Sequence, residues 1–349
     1  MKILVTGGSG FIGSAYIRHI ISTTDNKILN FDNLTYSSNQ GSLANIASSD
    51  NYEFFNGDIT NQEQASYVLD KFKPNLLVNF AAESHVDKSI EDPSSFMNTN
   101  ILGVSNLLNC SLEYSKNVID FRFHHLSTDE VYGDINKDLP APKEDSPFYT
   151  NSPYSASKAS SDLIVRAWNQ TYGLPTLVTN CTNNYGPYQY PEKLIPLMIL
   201  KAIRKEPLPI YGDGMQERDW LFVEDHVGAL ALFLEHEFKG DRYNISADNQ
   251  ITNLEVVNTI CDLLSKTNHE FLDSGFDYSS LITFVEDRPG HDKRYALDSE
   301  NFRKKFSWTP ETKFEYGIGH TVKWYLENIT WWEDLLSKSS PLERIGLRK

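Results

Sequence analysis

The sequence predicts an α/β fold: a doubly wound parallel sheet with a smaller C-terminal substrate-binding domain. Three observations predict it. Short apolar runs alternate with longer stretches of helical periodicity from Lys2 to Asn180. A glycine cluster, Gly7-Gly8-Ser9-Gly10-Phe11-Ile12-Gly13, lies where the first run meets the first helical stretch. Beyond Asn180 the alternation breaks down into Gly- and Pro-rich turns, as expected of a second body. The expected division is 1–180 for the sheet domain, with elements near 219–245 returning to it, and 181–349 mainly for the substrate domain.

Lys2 to Thr6 reads as a strand, and a helical pattern runs from the glycines to about Thr23. Glycines permit a tight turn and close backbone approach to a pyrophosphate, and the helix N-terminus faces that anion. A second strand, Lys27 to Phe31, ends at Asp32, 19 residues beyond Gly13. That is the place of the acid that binds ribose hydroxyls in a Rossmann-type dinucleotide fold. Asp32 would repel a 2′-phosphate, and no Arg or Lys occurs between Asn33 and Asn51, so NAD is expected rather than NADP. Tyr52 to Phe55 reads as a third strand ending near Asp58, which suits either an adenine amino group or a helix cap.

Leu76 to Phe80 reads as a fourth strand, opening into Ala81-Ala82-Glu83-Ser84-His85-Val86-Asp87, and residues 94 to 115 as a long helix. Phe121 to Ser127 is a fifth strand, ending in Thr128-Asp129-Glu130-Val131-Tyr132-Gly133. Ligands of open α/β sheets bind beyond the carboxyl ends of strands. Thr128 can donate to a substrate oxygen, and Asp129 and Glu130 can serve as acid and base if their environments differ. Two adjacent carboxylates in a dry cleft favour keeping one protonated. Residues 134 to 151 read as a surface loop. A helix then starts near Ser152 and carries Tyr154 and Lys158 one turn apart on one face. A cation so placed lowers the tyrosine pKa and lets it take a hydroxyl proton. Pro175 to Asn180 is a sixth strand. Asn183 to Pro187 and Ile210 to Gly214 read as turns, with a helix after Pro191 to about Arg204. Lys193, Arg218, Arg288 and His291 are sparse cations suited to a diphosphate clamp.

The chain has 349 residues and a net charge of −15, which excludes nonspecific binding to nucleic acid or anionic membranes. Its 3 cysteines, Cys110, Cys181 and Cys261, form neither a disulfide framework nor a zinc site, so no metal is expected and the compartment reads as reducing. With no signal peptide and no run of ~18 apolar residues, a cytoplasmic protein is expected.

Together these motifs resemble the extended short-chain dehydrogenase/reductase superfamily, and within it the dTDP-glucose 4,6-dehydratase family, from Met1 to about Trp332. Asn183-Asn184-Tyr185-Gly186-Pro187-Tyr188, Pro191-Glu192-Lys193-Leu194-Ile195-Pro196, Arg218-Asp219-Trp220 and Arg288-Pro289-Gly290-His291-Asp292 extend the likeness. The chain departs from the pattern at Ser246-Ala247, where a glycine pair is usual, in a short 134–150 loop and in the tail after Trp332.

The resemblance implies Thr128, Asp129, Glu130, Tyr154 and Lys158 as catalytic residues. It implies NAD contacts from Gly7, Gly10, Phe11, Ile12, Gly13, Asp32, Asn33, Leu34, Thr35, Asp58, Ile59, Phe80, Ala81, Ala82, Ser84, Thr99, Tyr154, Lys158 and Asn184. It implies sugar-nucleotide contacts from Ser84, His85, Thr128, Asn183, Lys193, Leu194, Pro209, Tyr211, Arg218, Asn253, Arg288 and His291. The implied reaction oxidises C4 of dTDP-glucose, or alternatively UDP-glucose, on bound NAD, removes water across C5 and C6, and reduces C6. A homodimer built on helices near 94–115 and 152–173 is implied as well. The rivals are a sugar-nucleotide 4-epimerase, which has no use for Asp129-Glu130, and a non-enzymatic dinucleotide sensor, which has no use for Tyr154 and Lys158.

Overall fold

The computed structural model describes residues 1–273 and 275–338. The expectation that the tail after Trp332 lacks a usable pattern falls mostly outside these residues. The strands are β1 (Lys2–Thr6), β2 (Lys27–Asp32), β3 (Tyr52–Asn56), β4 (Leu76–Asn79), β5 (Arg122–Thr128), β6 (Thr176–Cys181), β7 (Asn183–Tyr185), β8 (Leu208–Tyr211), β9 (Glu217–Phe222), β10 (Asp241–Ile245), β11 (Gln250–Thr252) and β12 (Ile282–Val285). The helices are α1 (Phe11–Thr23), α2 (Gln62–Phe72), α3 (Val86–Glu91), α4 (Pro93–Phe96), α5 (Val104–Ser115), α6 (Pro153–Tyr172), α7 (Leu194–Ile203), α8 (Val223–Ala231), α9 (Asn253–Lys266), α10 (Glu300–Phe306), α11 (Phe314–Glu327) and α12 (Ile329–Lys338).

Among the described residues the large sheet has the order β10-β6-β5-β4-β1-β2-β3, and every neighbouring pair is parallel. The order reverses between β1 and β4, so the crevice at their carboxyl ends is where a dinucleotide fits. The inner strands are buried almost end to end because helices cover both faces, whereas the edge strand β3 is half-exposed. One core, with Ile3, Val5, Ile17, Val78 and Val227, lies under α1 and α8; the other, with Leu4, Leu69, Leu108 and Phe123, lies under α2 and α5. Each fully buried Leu, Ile or Val stabilises by about 1.5–3 kcal/mol.

Of the segment 219–245, β10 joins the large sheet and α8 packs on α1, whereas β9 pairs with β7 and β11 in a small separate sheet. A third core, with Tyr185, Met198, Ile199, Trp220, Ile260 and Tyr325, gathers α7, α9 and α11.

Two expected turns are short strands instead. Asn183–Tyr185 pairs in parallel with Trp220–Phe222, and Leu208–Tyr211 pairs with Ile282–Val285 before the turn at Gly212. Neither is legible locally, because the partner strands lie far along the chain. The expected helix from 94 to 115 is interrupted. Met97–Gly103 adopts π-helical geometry between α4 and α5, and such bulges mark functional sites.

Candidate active site

The glycine loop is held by close packing. Gly7 has φ +67°, and a Cβ there would stand 2.5 Å from the Ala81 nitrogen, at the end of the neighbouring strand. A Cβ on Gly13 would collide with the Gly7 carbonyl. The first turn of α1 carries no acid, which leaves its N–H groups to an anion. Asp32, at the end of β2, accepts from Ser9 N at 2.9 Å, Leu34 N at 2.7 Å and Ser38 Oγ at 3.0 Å. Leu34 takes φ +55° in that turn and its side chain is exposed. Asp58 accepts from Thr60 N and Thr60 Oγ1, each at 2.8 Å, and from Asn33 Nδ2 at 3.0 Å. The cap of α2 is Asn61, so Asp58 is no helix cap.

One continuous cleft runs from this loop to the end of β5. It is lined by Gly7, Gly10, Phe11, Ile12, Gly13, Asp32, Asn33, Thr35, Asp58, Ile59, Phe80, Ala81, Ala82, Ser84 and Thr99, and by Thr128, Asp129, Glu130, Tyr154, Lys158, Asn183, Asn184 and Lys193. It therefore brings together most of the residues singled out in the sequence. Leu34, His85, Leu194, Pro209, Tyr211, Arg218, Asn253, Arg288 and His291 lie off this lining. Leu194 and Asn253 begin α7 and α9, and Pro209 and Tyr211 lie on β8.

At the end of β5 the chain turns through a single tight helical turn, so Asp129 and Glu130 project from adjacent backbone positions. Thr128 Oγ1 accepts from Glu130 N at 3.2 Å and donates to Asp129 Oδ1 at 3.0 Å. Asp129 Oδ2 is buried without a protein partner, as is Asn183 Oδ1. Burial, and then the charge of Glu130, push the Asp129 carboxyl up to about 8. Glu130 is raised by burial too, but Arg288, Arg218 and Lys193 oppose the rise. The environments thus differ in the required sense, with Asp129 protonated near neutral pH.

Tyr154 and Lys158 occupy the first two turns of α6, which starts with a Ser152–Ser155 capping box. The expected lowering of the Tyr154 pKa is reversed here. Burial, Glu130 and Cys181 hold the phenol well above its ordinary range, and only the Thr128 hydroxyl works against them. Lys158 is itself depressed to about 8 by burial, and its Nζ donates to Leu126 O at 2.7 Å.

A second wall, which continues past Glu130 beyond this lining and shares Lys193 with it, comes from distant segments. Arg288 Nη1 lies 2.5 Å from Asp87 Oδ1, and Tyr211 donates to Asp87 Oδ2 at 2.9 Å. His291 Nδ1 is 2.6 Å from Asp287, and burial pushes its pKa to about 4, so the ring is neutral. Arg218 donates to the carbonyls of Glu217 and Asp292, each at 2.8 Å, and stacks 4.2 Å from the centre of the Tyr295 ring. Tyr295 Oη reaches Asp292 at 2.6 Å and stands 3.4 Å from Glu130 Oε2. Lys193 Nζ donates to Ser84 O at 2.8 Å.

Several contributors carry little or no signal in the sequence. Glu192 accepts from Tyr36 at 3.0 Å and pairs with Lys88 at 3.3 Å, clasping the 33–38 loop to the 189–193 segment across the cleft. Burial and the cations Lys193 and Lys88 push His85 down to about 2, so its 3.8 Å approach to Glu192 is no ion pair. Asn100, in the π-helical segment, accepts from Glu83 N and donates to Glu83 O and to Ser157 Oγ, tying the β4 end to α6. The one local signal for Glu192 was its place in Pro191-Glu192-Lys193; Asn100 and Tyr295 had none.

Comparison with known proteins agrees with this geometry. The GDP-mannose 4,6 dehydratase family model matches residues 4–321. The chain is 52% identical to the dTDP-glucose 4,6-dehydratase of Neisseria meningitidis serogroup B, covering 100% of this chain and 99% of that one. It is similar in structure to the dTDP-glucose 4,6-dehydratase of Streptomyces venezuelae solved with NAD and TYD bound, at 40% identity, TM-score 0.88, and coverage of 96% and 100%. It is similar also to the UDP-glucose 4-epimerase of Thermus thermophilus solved with NAD, at 26% identity, TM-score 0.82, and coverage of 93% and 99%. By these matches the chain belongs to the dTDP-glucose 4,6-dehydratase family of the extended short-chain dehydrogenase/reductase superfamily.

Proposed function

We propose that the protein is an NAD-dependent hydro-lyase that converts dTDP-glucose to dTDP-4-keto-6-deoxyglucose and water. The observation that carries this reading is the pair of adjacent carboxyls, Asp129 buried and pushed up to about 8 and Glu130 half-buried with Arg288, Arg218 and Lys193 opposing its rise, in one cleft with Tyr154 and the glycine loop. An epimerase shares the fold and the Tyr–Lys pair but has no chemistry for two such carboxyls.

The residues fit the dinucleotide. Gly7 leaves room for backbone approach, α1 presents an acid-free N-terminus, and Asp32 closes the ribose end without a cation to accept a 2′-phosphate. Gly7, Gly10, Phe11, Ile12, Asp32, Asp58, Ala81 and Thr99 would hold it. NAD, when bound, supplies reversible two-electron redox chemistry at the sugar. Tyr154 Oη, as a phenolate in the loaded site, takes the C4 hydroxyl proton, and the Thr128 hydroxyl, which donates to Asp129 in the free protein, turns to donate to it. Because burial holds the phenol protonated in the free protein, this transfer belongs to the loaded site. The C4 ketone acidifies C5. Glu130 removes the C5 proton, Asp129 gives its proton to the C6 hydroxyl, and water departs. Glu130 then returns a proton to C5. Lys193, Arg218 and Arg288, with neutral His291, are assigned to the nucleotide diphosphate, since their charge already bears on Glu130.

The division into 1–180, with later returning elements, and 181–349 is proposed on the separate cores. A homodimer is proposed on exposed Leu102 and Leu163, which lie on the π-helical segment and on α6. Among the described residues no helix is long and apolar enough to cross a membrane. A cytoplasmic location is proposed on the three buried free cysteines. The test is incubation with dTDP-glucose and, separately, UDP-glucose, followed by mass spectrometry. Loss of one water from the former supports the reading, loss from UDP-glucose alone moves the substrate, and isomerisation without mass change selects the epimerase. Deuterium at C4 should reappear at C6.

A further inference from the structure

Behind the catalytic residues lies a buried carboxylate that the proposed chemistry does not use. Asp162 sits one helical turn beyond Lys158 on α6 and is fully buried. A bare carboxylate in such a place is costly, so its neighbours say what it is for. Its Oδ2 accepts from Asn180 Nδ2 at 3.0 Å and lies 3.9 Å from Arg242 Nη2, on the edge strand β10. The same Asn180 nitrogen donates to Thr128 O at 3.0 Å. Asp162 Oδ1 lies 3.6 Å from His125 Nε2.

The proton of His125 can be located. Asn79 Oδ1 is taken by the Thr6 hydroxyl, so Asn79 Nδ2 donates to His125 Nδ1 at 2.9 Å. His125 therefore carries its proton on Nε2, facing Asp162 and Ser161. Burial keeps the ring neutral.

The groups facing Lys158 are then few. Cys181 on β6 is pushed up to about 12 by burial and by Asp129, so it is a thiol. His125 on β5 is neutral. Tyr154, on the same helix, is held as a phenol. Asp162 is the group that raises Lys158 against its burial as an ionised partner. Burial raises the Asp162 carboxyl, and Arg242, 3.9 Å away on its far side, works against that rise together with Lys158 and the Asn180 amide; the Arg242 guanidinium rests 4.6 Å from the centre of the Phe148 ring.

We propose that Asp162 is a positioning residue of the reaction: one turn from Lys158 on α6 it serves as the buried counter-ion of that ammonium and, through Asn180, anchors the carbonyl of Thr128. One buried carboxylate thereby sets both the charge beside Tyr154 and the placement of the turn that carries Asp129 and Glu130. The inference rests on the assignment of Tyr154 and Lys158 to C4 oxidation.

The experiment compares the pH profiles of kcat and KM for dTDP-glucose in the NAD-loaded wild type and in Asp162→Asn, which keeps shape and the Asn180 contact. An opposite charge within ~4–6 Å shifts a pKa by ~1–3 units, and positions one turn apart on a helix stand ~5–6 Å apart between Cβ atoms. The alkaline fall in kcat should move to lower pH by about one unit or more, with kcat near pH 7.5 down about tenfold and KM within about twofold. An unmoved alkaline limb overturns the proposal. Should Asp162→Asn not fold, thermal unfolding of Lys158→Met and of Lys158→Met/Asp162→Asn decides. A counter-ion role requires the second change to raise Tm, because it removes a carboxylate left without its ammonium. A fall in Tm shows a packing role and overturns the proposal. Turnover by Lys158→Met would instead overturn the assignment on which the inference rests. An inactive Lys158→Met with an unshifted Asp162→Asn sinks the inference alone.

Discussion

Along the strand-end wall of the cleft, Asp32 is held by Leu34, Ser38 and Ser9, partners 2, 6 and 23 residues away. Across from it, Lys193, Tyr211 and Arg288 reach partners 109, 124 and 201 residues away. The first wall is made by local turns at the ends of parallel strands, and its groups face the cleft because the sheet leaves them nowhere else to go. The second is made of side chains already engaged with Asp87, Asp287 or backbone carbonyls before any ligand arrives. The chemistry proposed for Asp129, Glu130 and Tyr154 sits on the first. The charge proposed to meet a diphosphate sits on the second, where Asp87 offsets the burial of Arg288.

If that division holds, substitutions on the first wall should act on kcat and those on the second on KM. The largest effect belongs to the first wall. Removing a positioned acid or base costs ~10²- to 10⁴-fold in rate. Glu130→Gln should stall with NADH absorbance and the 4-keto hexose on the enzyme, whereas Tyr154→Phe should show no NADH in single-turnover absorbance. Normal turnover by Glu130→Gln would remove the acid–base assignment altogether.

On the second wall, Arg288→Ala deletes a charged donor that contacts Asp87. Hydrogen bonds to charged groups contribute about 1.5–3 kcal/mol, so KM should rise ~10- to 100-fold, with kcat changed far less. Steady-state kinetics with dTDP-glucose reads the split, and an equal loss in kcat would erase the distinction between the walls.

A smaller and graded effect is expected from pH. Asp129 keeps its proton below about 8 and gives it up above. Lys158, depressed to about 8, is a cation on the same side. Both active forms exist at lower pH and are lost as pH rises, so kcat should fall on the alkaline side by up to ~10-fold per unit for each group lost. A rise in kcat between pH 8 and pH 9 would contradict the protonated Asp129.

The smallest effect should come from the clasp that joins the walls. Tyr36→Phe removes the hydrogen bond to Glu192 while keeping the ring under Lys88. One such bond is worth ~0.5–1.5 kcal/mol, so NAD should dissociate about 2- to 10-fold faster. Cofactor release followed by fluorescence, with kcat at saturating NAD as the control, reads this; an unchanged release rate would leave the clasp without a role in retention.

Local patterns in the sequence determined much of this protein. Apolar runs of strand length, Gly7 to Gly13 at a strand–helix join, Asp32 at the next strand end, Thr128-Asp129-Glu130 and the Tyr154–Lys158 spacing are all encoded within about one turn or one strand of themselves. Backbone sterics and side-chain periodicity act over that range, so the parallel sheet and the strand-end half of the cleft are legible in the amino-acid order itself. Tertiary structure alone decided the rest. The strands Asn183–Tyr185 and Leu208–Tyr211 exist only through distant partners. Arg288 meets Asp87, Tyr36 meets Glu192, and Tyr295 stands by Glu130 because segments far along the chain fold back over the ends of the parallel strands. Protonation followed the same rule. The spacing of Tyr154 and Lys158 suggested a lowered phenol pKa, but the folded chain buries the phenol beside Glu130 and raises it. Spacing along a helix states which groups are neighbours; how much water and which distant charges surround them is a property of the whole fold.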